Sequence, residues 1–380
     1  MRIVIAAGGT GGHIYPALAV ARSLRARSAE PAWRWIGGRR GLEATIVPPA
    51  GYRLDRLWLR SLRTVDLSIH LLLDPLRLMV SLPQALALLG AWRPQAVFTT
   101  GGYVAIPVLA AAAALRIPSL LWEGNLVAGR SVRATARLAS AIAVSFEETL
   151  ERLPRRPYVT GTPIRSFAGI ERGAARGRLG VPADVPCLLV FGGSQGVRRL
   201  NDAVNAALPA LIEKYAVVHV CGEAGLGEAR ALRASLPAQL QRRYAPFAYL
   251  ADEMTDALVA ADLLVGRAGS STLAEATALG LPLVVVPYPH AGAHQLANAR
   301  RLAEAGAARV IPDEQFSGPA LLEAAAVLDD PIALGEMQGG SRSFARPGAA
   351  EAVAELLAAL AERRPLPDWA AIEQIARASP

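Results

Sequence analysis

Two stretches of this chain share one pattern, an apolar run that ends abruptly in glycine. Near the start, Ile3-Val4-Ile5-Ala6-Ala7 opens into Gly8-Gly9-Thr10-Gly11-Gly12-His13. Mid-chain, Cys187-Leu188-Leu189-Val190-Phe191 opens into Gly192-Gly193-Ser194-Gln195-Gly196. Each run reads as a parallel strand buried on both faces, and each is followed by a helical pattern. Glycine at such a junction lets backbone N–H groups approach an anion at a helix N-terminus. Two such units imply an α/β chain with two nucleotide-binding-type halves facing one cleft. That layout suits an enzyme whose substrate is phosphorylated and nucleotide-linked.

Composition agrees with a chain of this kind. With 380 residues, 52% hydrophobic and 19% charged, it is long enough for two domains with sizeable cores. The net charge of +8 fits either a phosphate-rich or anionic-membrane partner or a simple preference for arginine. The two cysteines, Cys187 and Cys221, fall in apparent strands and read as buried free thiols of a reducing compartment. No Cys/His cluster has metal-site spacing, and nucleic acid is not an expected partner. Nothing precedes the first strand, so no signal peptide is expected. Apolar stretches such as Val104 to Leu115 are too short to span a bilayer, so any membrane association would be peripheral.

Strand and helix alternate along the N-terminal half. Ile14 to Arg27 reads as a helix with Pro16 in its first turn. Short strands at Arg34–Ile36, Gln95–Thr99, Ser119–Trp122 and Ala141–Val144 all end in polar or glycine-rich residues, where ligands bind in an open parallel sheet. Leu153 to Gly180, rich in Pro, Arg and Gly, reads as an interdomain connection. The second half repeats the pattern with strands Cys187–Phe191, Ala216–Val220, Ala245–Tyr249, Leu263–Val265, Leu283–Val286 and Ala308–Ile311. A last helix, near Ala349 to Leu360, can pack on either domain.

A dinucleotide fold fails on two counts. The third glycine of G-x-G-x-x-G falls on Ile14 when read from Gly9, and the second strand ends in Gly37-Gly38-Arg39 with no acid for a ribose diol. The chemistry-bearing residues lie elsewhere. His13 is placed to act as a general base on an acceptor hydroxyl, or else is a polar cap at the helix start. Arg267-Ala268-Gly269-Ser270-Ser271-Thr272-Leu273-Ala274-Glu275 is a third strand–loop–helix junction, suited to a diphosphate. Glu275 can accept from both hydroxyls of a ribose, the alternative being a solvent-facing or capping glutamate. Pro287-Tyr288-Pro289-His290, with His294, Gln295 and Asn298, suits sugar hydroxyls or is an ordinary polar helix start. Ser61 to Leu89 is leucine-rich, with Arg60, Arg63, Arg77 and Arg93 nearby. Asp74, Pro75 and Pro83 speak against a spanning helix there, leaving an interfacial patch or a helix pair covering the sheet.

Taken in order, these segments resemble the MurG family, the peptidoglycan glycosyltransferases that add N-acetylglucosamine to lipid I to make lipid II. The resemblance runs over essentially the whole chain. It rests on Gly8 to Pro16, Gly101-Gly102-Tyr103, Asn125 with Ala128-Gly129, and Gly161-Thr162-Pro163-Ile164-Arg165. It continues through Gly192 to Gly196, Arg267-Ala268-Gly269 leading to Glu275, and Gln295 with Asn298.

The resemblance implies a GT-B fold, two Rossmann-like domains with parallel sheets facing a central cleft. Residues 1–163 would form an acceptor and membrane-side domain and 164–346 a UDP-sugar donor domain, with a C-terminal helical stretch at about 347–380 a candidate to pack back on the first. It implies an inverting transferase using UDP-N-acetylglucosamine, acting at the cytoplasmic face of the cell membrane on the polyprenyl-diphosphate-linked acceptor lipid I, peripheral on an anionic surface. Thr10, Gly11 and Gly12 would belong to a loop at the donor–acceptor junction. Asn125, Arg165 and Ser194 would contact donor, and the backbone of Ala251 would pair with uracil. Ser270, Ser271, Thr272, Leu273 and Ala274 would form the nucleotide loop, with Glu275 on the ribose and Gln295 on the sugar. The chain departs from the family in two places. Trp122-Glu123-Gly124-Asn125 stands where the family usually has His-Glu-Gln-Asn, placing Trp122 where a cleft histidine is expected. His294-Gln295 stands where it often has Gln-Gln. The first departure shifts the role of base to His13, with Glu123 a weaker candidate. With no Asp-x-Asp motif, no obligatory metal or other cofactor is expected; loop N–H groups and Arg165 would stabilise the departing UDP. The competing readings are a GT-B transferase with another acceptor, a UDP-N-acetylglucosamine 2-epimerase, and an inactive nucleotide-sugar-binding module.

Overall fold

The first strand, β1 (Arg2–Ala6), sends alternate side chains into two different cores. Ile3 and Ile5 enter one with Phe98 and Trp122, while Val4 and Ala6 enter another with Val97 and Tyr103. This period of two is what a parallel strand covered on both faces requires. In this computed structural model residues 1–27, 31–59, 70–154, 156–193, 198–289 and 293–378 are described. The chain divides into two units, the first made of Met1–Ile164 and Arg346–Pro380, the second of Arg165–Ala345.

In the first unit, β1 is joined by β2 (Ala32–Gly37), β3 (Leu54–Arg56), β4 (Ala96–Thr99), β5 (Ser119–Glu123), β6 (Ala141–Val144) and β7 (Tyr158–Val159). They form one parallel sheet in the order β3-β2-β1-β4-β5-β6-β7. The order reverses between β1 and β4, so the loops after those two strands flank the switch point where open α/β sheets bind ligands. One face is covered by the helices Gly11–Arg27 and Ala349–Ala361, through Val20, Leu24, Val353, Leu356 and Leu357. The last helix, Trp369–Arg377, adds Ile372 to that core and stacks Trp369 on Tyr158 with ring centroids 5.4 Å apart. The other face is covered by the helices His70–Trp92 and Gly102–Ala114, through Ala85, Leu89, Val104 and Val108.

The second unit repeats the plan with six strands: β8 (Cys187–Phe191), β9 (Ala216–Val220), β10 (Tyr244–Phe247), β11 (Leu263–Gly266), β12 (Leu283–Val285) and β13 (Ala308–Val310). Their order is β10-β9-β8-β11-β12-β13, again all parallel, with the switch point between β8 and β11. Two parallel-sheet α/β units of this kind are the GT-B architecture. No described helix is long and apolar enough to cross a membrane.

Several local readings shift. The first helix begins at Gly11 rather than Ile14, which moves Pro16 into its second turn. The missing N–H of Pro16 then deprives only the exposed Gly12 of an intrahelical donor. Leu153–Gly180 is more than a connection, since it contributes the edge strand β7 and the helix Arg172–Leu179. The strand read as Ala245–Tyr249 is β10, which starts one residue earlier and ends two earlier; Pro246 is tolerated there because β10 is an edge strand, paired among the described strands to β9 alone. β3 was not anticipated, being three residues long. Cys221 follows β9 and precedes the helix Gly222–Ser235, and both cysteines are buried and unpaired. The leucine-rich segment forms the helix His70–Trp92; Arg60, Ser61 and Arg63 lie outside the described residues.

Candidate active site

The loop after β1 carries Thr10, whose carbonyl accepts from the N–H groups of His13 (3.1 Å) and Ile14 (3.3 Å), starting the first helix. Gly11 and Gly12 therefore occupy its N-terminal turn, where N–H groups have no intrahelical acceptor. His13 sits between the two loops of the switch point. Its Nδ1 lies 2.8 Å from the carbonyl of Thr100, after β4, and Thr100 Oγ1 donates back to the His13 carbonyl at 3.0 Å. A carbonyl only accepts, so Nδ1 carries the proton and Nε2 presents its lone pair. A Cβ on Gly102 would lie 3.5 Å from Nε2, so glycine keeps that side of the ring clear. Burial lowers the imidazole pKa, opposed by the Glu123 charge, the Thr100 hydrogen bond and the Glu43 charge. The ring is thus held neutral and able to accept a proton at Nε2.

Glu123 ends β5 and is buried. One oxygen accepts from the backbone N (2.9 Å) and side-chain Nδ2 (3.0 Å) of Asn125, and the other from the N–H of Gly129 (2.8 Å). Three donors engage the carboxylate, which makes Glu123 the anchor of the 124–129 loop and fixes the Asn125 side chain. Trp122 does not line the site. It is 1% exposed, lies in the core with Phe98 and Leu120, and donates Nε1–H to the Gly161 carbonyl at 3.0 Å. Strand parity explains the correction: Trp122 shares its face with Leu120, and that face is core.

In the second unit, three residues singled out from sequence meet at one guanidinium. Arg165 donates Nε–H to Glu275 at 2.8 Å and NH1 to the Ala251 carbonyl at 3.1 Å. Ala251 N–H donates to Glu253 at 3.1 Å, so both backbone groups of Ala251 have partners here. Burial pushes the Glu275 carboxyl up, and the Arg165 charge and hydrogen bond pull it back. Glu275 belongs to the helix Ser270–Ala278, whose N-cap Gly269 provides no side-chain cap. The N-terminal turn holding Ser270, Ser271 and Thr272 is left open to an anion. Ser271 Oγ is buried with no hydrogen-bond partner among the described residues, an orphan that a ligand would satisfy. Leu273 spends its N–H on the Gly269 carbonyl at 3.0 Å and its side chain in the core, while Ala274 is half-buried behind it.

Gln295, in the helix Ala293–Glu304, accepts from the Tyr288 N–H at 2.8 Å through Oε1. Its amide nitrogen is thereby the group turned toward any other partner. Asn298 is fully buried and reaches the Ala268 carbonyl at 3.4 Å, tying this helix to the loop after β11. Ser194 and His290 lie outside the described residues. Among the described residues no group of three or more His, Cys, Asp or Glu side chains gathers as a metal site would need.

Sequence reasoning passed over Glu43. It starts the short helix Glu43–Ile46 and is completely buried. Its oxygens accept from Gly9 N (2.8 Å), Gly38 N (2.8 Å) and Tyr103 OH (3.1 Å). The available signal was a lone acid beside Gly37, Gly38 and Gly41, a density of glycine that strand–loop geometry alone does not need.

The Glycosyltransferase family 28 N-terminal domain matches residues 3–144, and the family 28 C-terminal domain matches residues 187–352. The UDP-N-acetylglucosamine–N-acetylmuramyl-(pentapeptide) pyrophosphoryl-undecaprenol N-acetylglucosamine transferase of Desulforudis audaxviator is 40% identical, over 95% of this chain and 99% of its own. The chain belongs to the MurG family. A MurG relative bearing the same transferase name in Moorella thermoacetica is 38% identical over 94% of this chain and 98% of its own. The crystal structure of Acinetobacter baumannii MurG superposes with a TM-score of 0.73 at 30% identity, covering 94% of this chain and 99% of that one. A putative UDP-N-acetylglucosamine 2-epimerase from Listeria monocytogenes shares the fold alone, at 13% identity and a TM-score of 0.68 over 97% and 98% of the two chains.

Proposed function

We propose that this chain is an inverting N-acetylglucosaminyltransferase. It moves N-acetylglucosamine from UDP-N-acetylglucosamine to the MurNAc 4-hydroxyl of lipid I, making lipid II. The observation that carries the reading is full-length similarity to transferases of that name, joined to a neutral histidine whose Nε2 has no hydrogen-bond partner among the described residues, at the first unit's switch point.

The acceptor hydroxyl is a poor nucleophile until a base takes its proton. His13 Nε2 is that base, and Thr100 holds the opposite nitrogen so that the correct tautomer faces the substrate. The hydroxyl oxygen attacks the anomeric carbon as the bond to UDP breaks, giving inversion without a covalent enzyme intermediate. In the second unit Glu275 receives the ribose hydroxyls. The open N-terminal turn at Ser270–Thr272 and Ser271 Oγ meet the diphosphate, and the helix dipole favours its growing charge. Arg165 shares Glu275 with the ribose and adds positive charge to the donor region. Ser194 remains a donor contact by family resemblance. Thr10, Gly11 and Gly12 offer backbone groups, Asn125 offers its amide, and Gln295 turns its amide nitrogen toward the sugar. The reading assigns no step to a metal. The enzyme is placed peripherally on the anionic cytoplasmic face of the membrane, supported by Leu76, Met79 and Leu82, all exposed on the helix His70–Trp92, and by the +8 charge.

The decisive assay incubates the purified protein with UDP-N-acetylglucosamine, with and without lipid I and with and without EDTA. Lipid II and UDP forming only with lipid I, chelator or not, is the expected result. UDP-N-acetylmannosamine formed without acceptor would instead make the protein an epimerase.

A further inference from the structure

We propose that Glu43 is a positioning residue for the transfer, its carboxylate fastening the loop that leads into His13 to the segment after β4 that holds the His13 imidazole. The inference rests on the reading of His13 as base. Gly9, whose N–H Glu43 accepts at 2.8 Å, lies four residues before His13. Tyr103, whose hydroxyl it accepts at 3.1 Å, lies three residues after Thr100. The third donor, Gly38 N at 2.8 Å, brings in the loop after β2. One buried side chain therefore ties together the segments that follow β1, β2 and β4, at the end of the sheet where the site lies. The Gly9 carbonyl completes the clamp by accepting from Leu42 N at 3.3 Å.

The surrounding glycines are sized for this carboxylate. A Cβ on Gly8 would stand 2.7 Å from Glu43 Oε1, and one on Gly37 2.8 Å from its Cγ. A Cβ on Gly38 would stand 2.8 Å from the Tyr103 ring, and one on Gly41 2.9 Å from the Glu43 carboxyl carbon. None of these has room for a side chain. Gly12 differs: its nearest neighbour would be Thr10 Oγ1 at 3.8 Å, which leaves it to face a ligand. The first glycine cluster thus splits into a part that encloses Glu43 and a part that faces substrate.

Both carboxylate oxygens act as acceptors in a place without water access. An amide must turn its NH2 toward at least one N–H or O–H donor, which is repulsive and leaves that donor unsatisfied. Glu43 and Glu123 are also the charges that raise the proton affinity of His13 against its burial.

The test compares Glu43→Gln, Tyr103→Phe and Gly8→Ala with wild type, using UDP-N-acetylglucosamine and lipid I. Glu43→Gln is expected to lower kcat by about ten- to a hundredfold, the scale of a misplacement near 1 Å. KM for UDP-N-acetylglucosamine should stay unchanged, and the acid limb of the kcat profile should move to lower pH because His13 loses a neighbouring negative charge. Tyr103→Phe should lose less, and Gly8→Ala should resemble Glu43→Gln by crowding the carboxylate out. Wild-type kcat and acid limb in Glu43→Gln, or a loss that merely tracks its unfolded fraction, would overturn the proposal. If Glu43→Gln does not fold, normal kcat in both other variants would do the same. A wild-type protein without transfer removes the functional reading too, whereas an active wild type with an unaltered Glu43→Gln removes this inference only.

Discussion

Arg165 grips the buried Glu275 carboxylate through Nε at 2.8 Å while its NH1 holds the Ala251 carbonyl at 3.1 Å. The first residue of the second unit therefore joins a carboxylate assigned to ribose and a backbone group assigned to uracil. Removing the guanidinium strands a carboxylate that burial already disfavours. Arg165→Ala should cost about 3 kcal/mol of stability in denaturant unfolding. Arg165→Lys should recover little, because one ammonium lacks the fork that reaches both acceptors. Glu275→Gln should weaken UDP binding about tenfold by calorimetry; unchanged affinity would remove Glu275 from the ribose.

His13→Gln should lower kcat by about a hundred- to ten-thousandfold, the usual worth of a general base, with UDP affinity unaltered. Because burial holds the imidazole pKa below its ordinary 6.5, wild-type activity should persist into mildly acidic solution before it falls. An acid limb at or above 6.5 would contradict that placement.

His219 predicts the pH dependence of stability. It is buried in β9, with Nδ1 on Tyr244 OH at 2.9 Å and Nε2 on Asn201 Oδ1 at 3.0 Å, and burial lowers its pKa to about 4. The unfolded chain binds this proton first as pH falls. The contribution is therefore intact above 6.5 and is lost progressively toward 4, amounting to about 3 kcal/mol. Denaturant midpoints between pH 7 and 4 should fall in the wild type and flatten in His219→Gln.

Trp122→Ala should destabilise the protein by about 3–5 kcal/mol through the cavity it leaves. Trp122→Phe, losing chiefly the bond to Gly161, should cost about 1 kcal/mol. The folded fraction of Trp122→Phe should transfer sugar at the wild-type rate, since the ring lies in the core. A selective loss of kcat would return Trp122 to the site.

Among the described side chains of the helix His70–Trp92, Met79 is the most exposed apolar one, at 72%. Met79→Glu should reduce co-sedimentation with vesicles containing anionic lipid at low salt, without altering UDP binding. Equal binding of wild type and variant would place any membrane contact elsewhere.

The two parallel sheets and their switch-point loops were legible because strands buried on both faces leave continuous apolar runs that stop at glycine. Strands β3 and β7 were not, since three and two residues carry no periodicity. His13 was legible as a polar residue at a helix start, but its tautomer depends on Thr100, 87 positions away. Trp122 was misplaced because alignment with a family motif ignored which face of β5 it occupies. Glu43 was missed because its partners come from three separate segments of the chain, and because glycines that enclose a side chain look in sequence like glycines that admit a ligand.

The first unit is closed by residues that follow the second. Val353, Leu356, Leu357 and Ile372 fill the core begun by Ile3 and Ile5, yet they are synthesised only after all of Arg165–Ala345. During translation the continuous second unit can finish its core first, while the sheet led by β1 waits with one apolar face only partly covered, by the helix Gly11–Arg27. Order of synthesis and order of completion are therefore reversed. A chain cut after Ala345 would keep every residue of the second unit, and leave the N-terminal one still in need of shelter from aggregation.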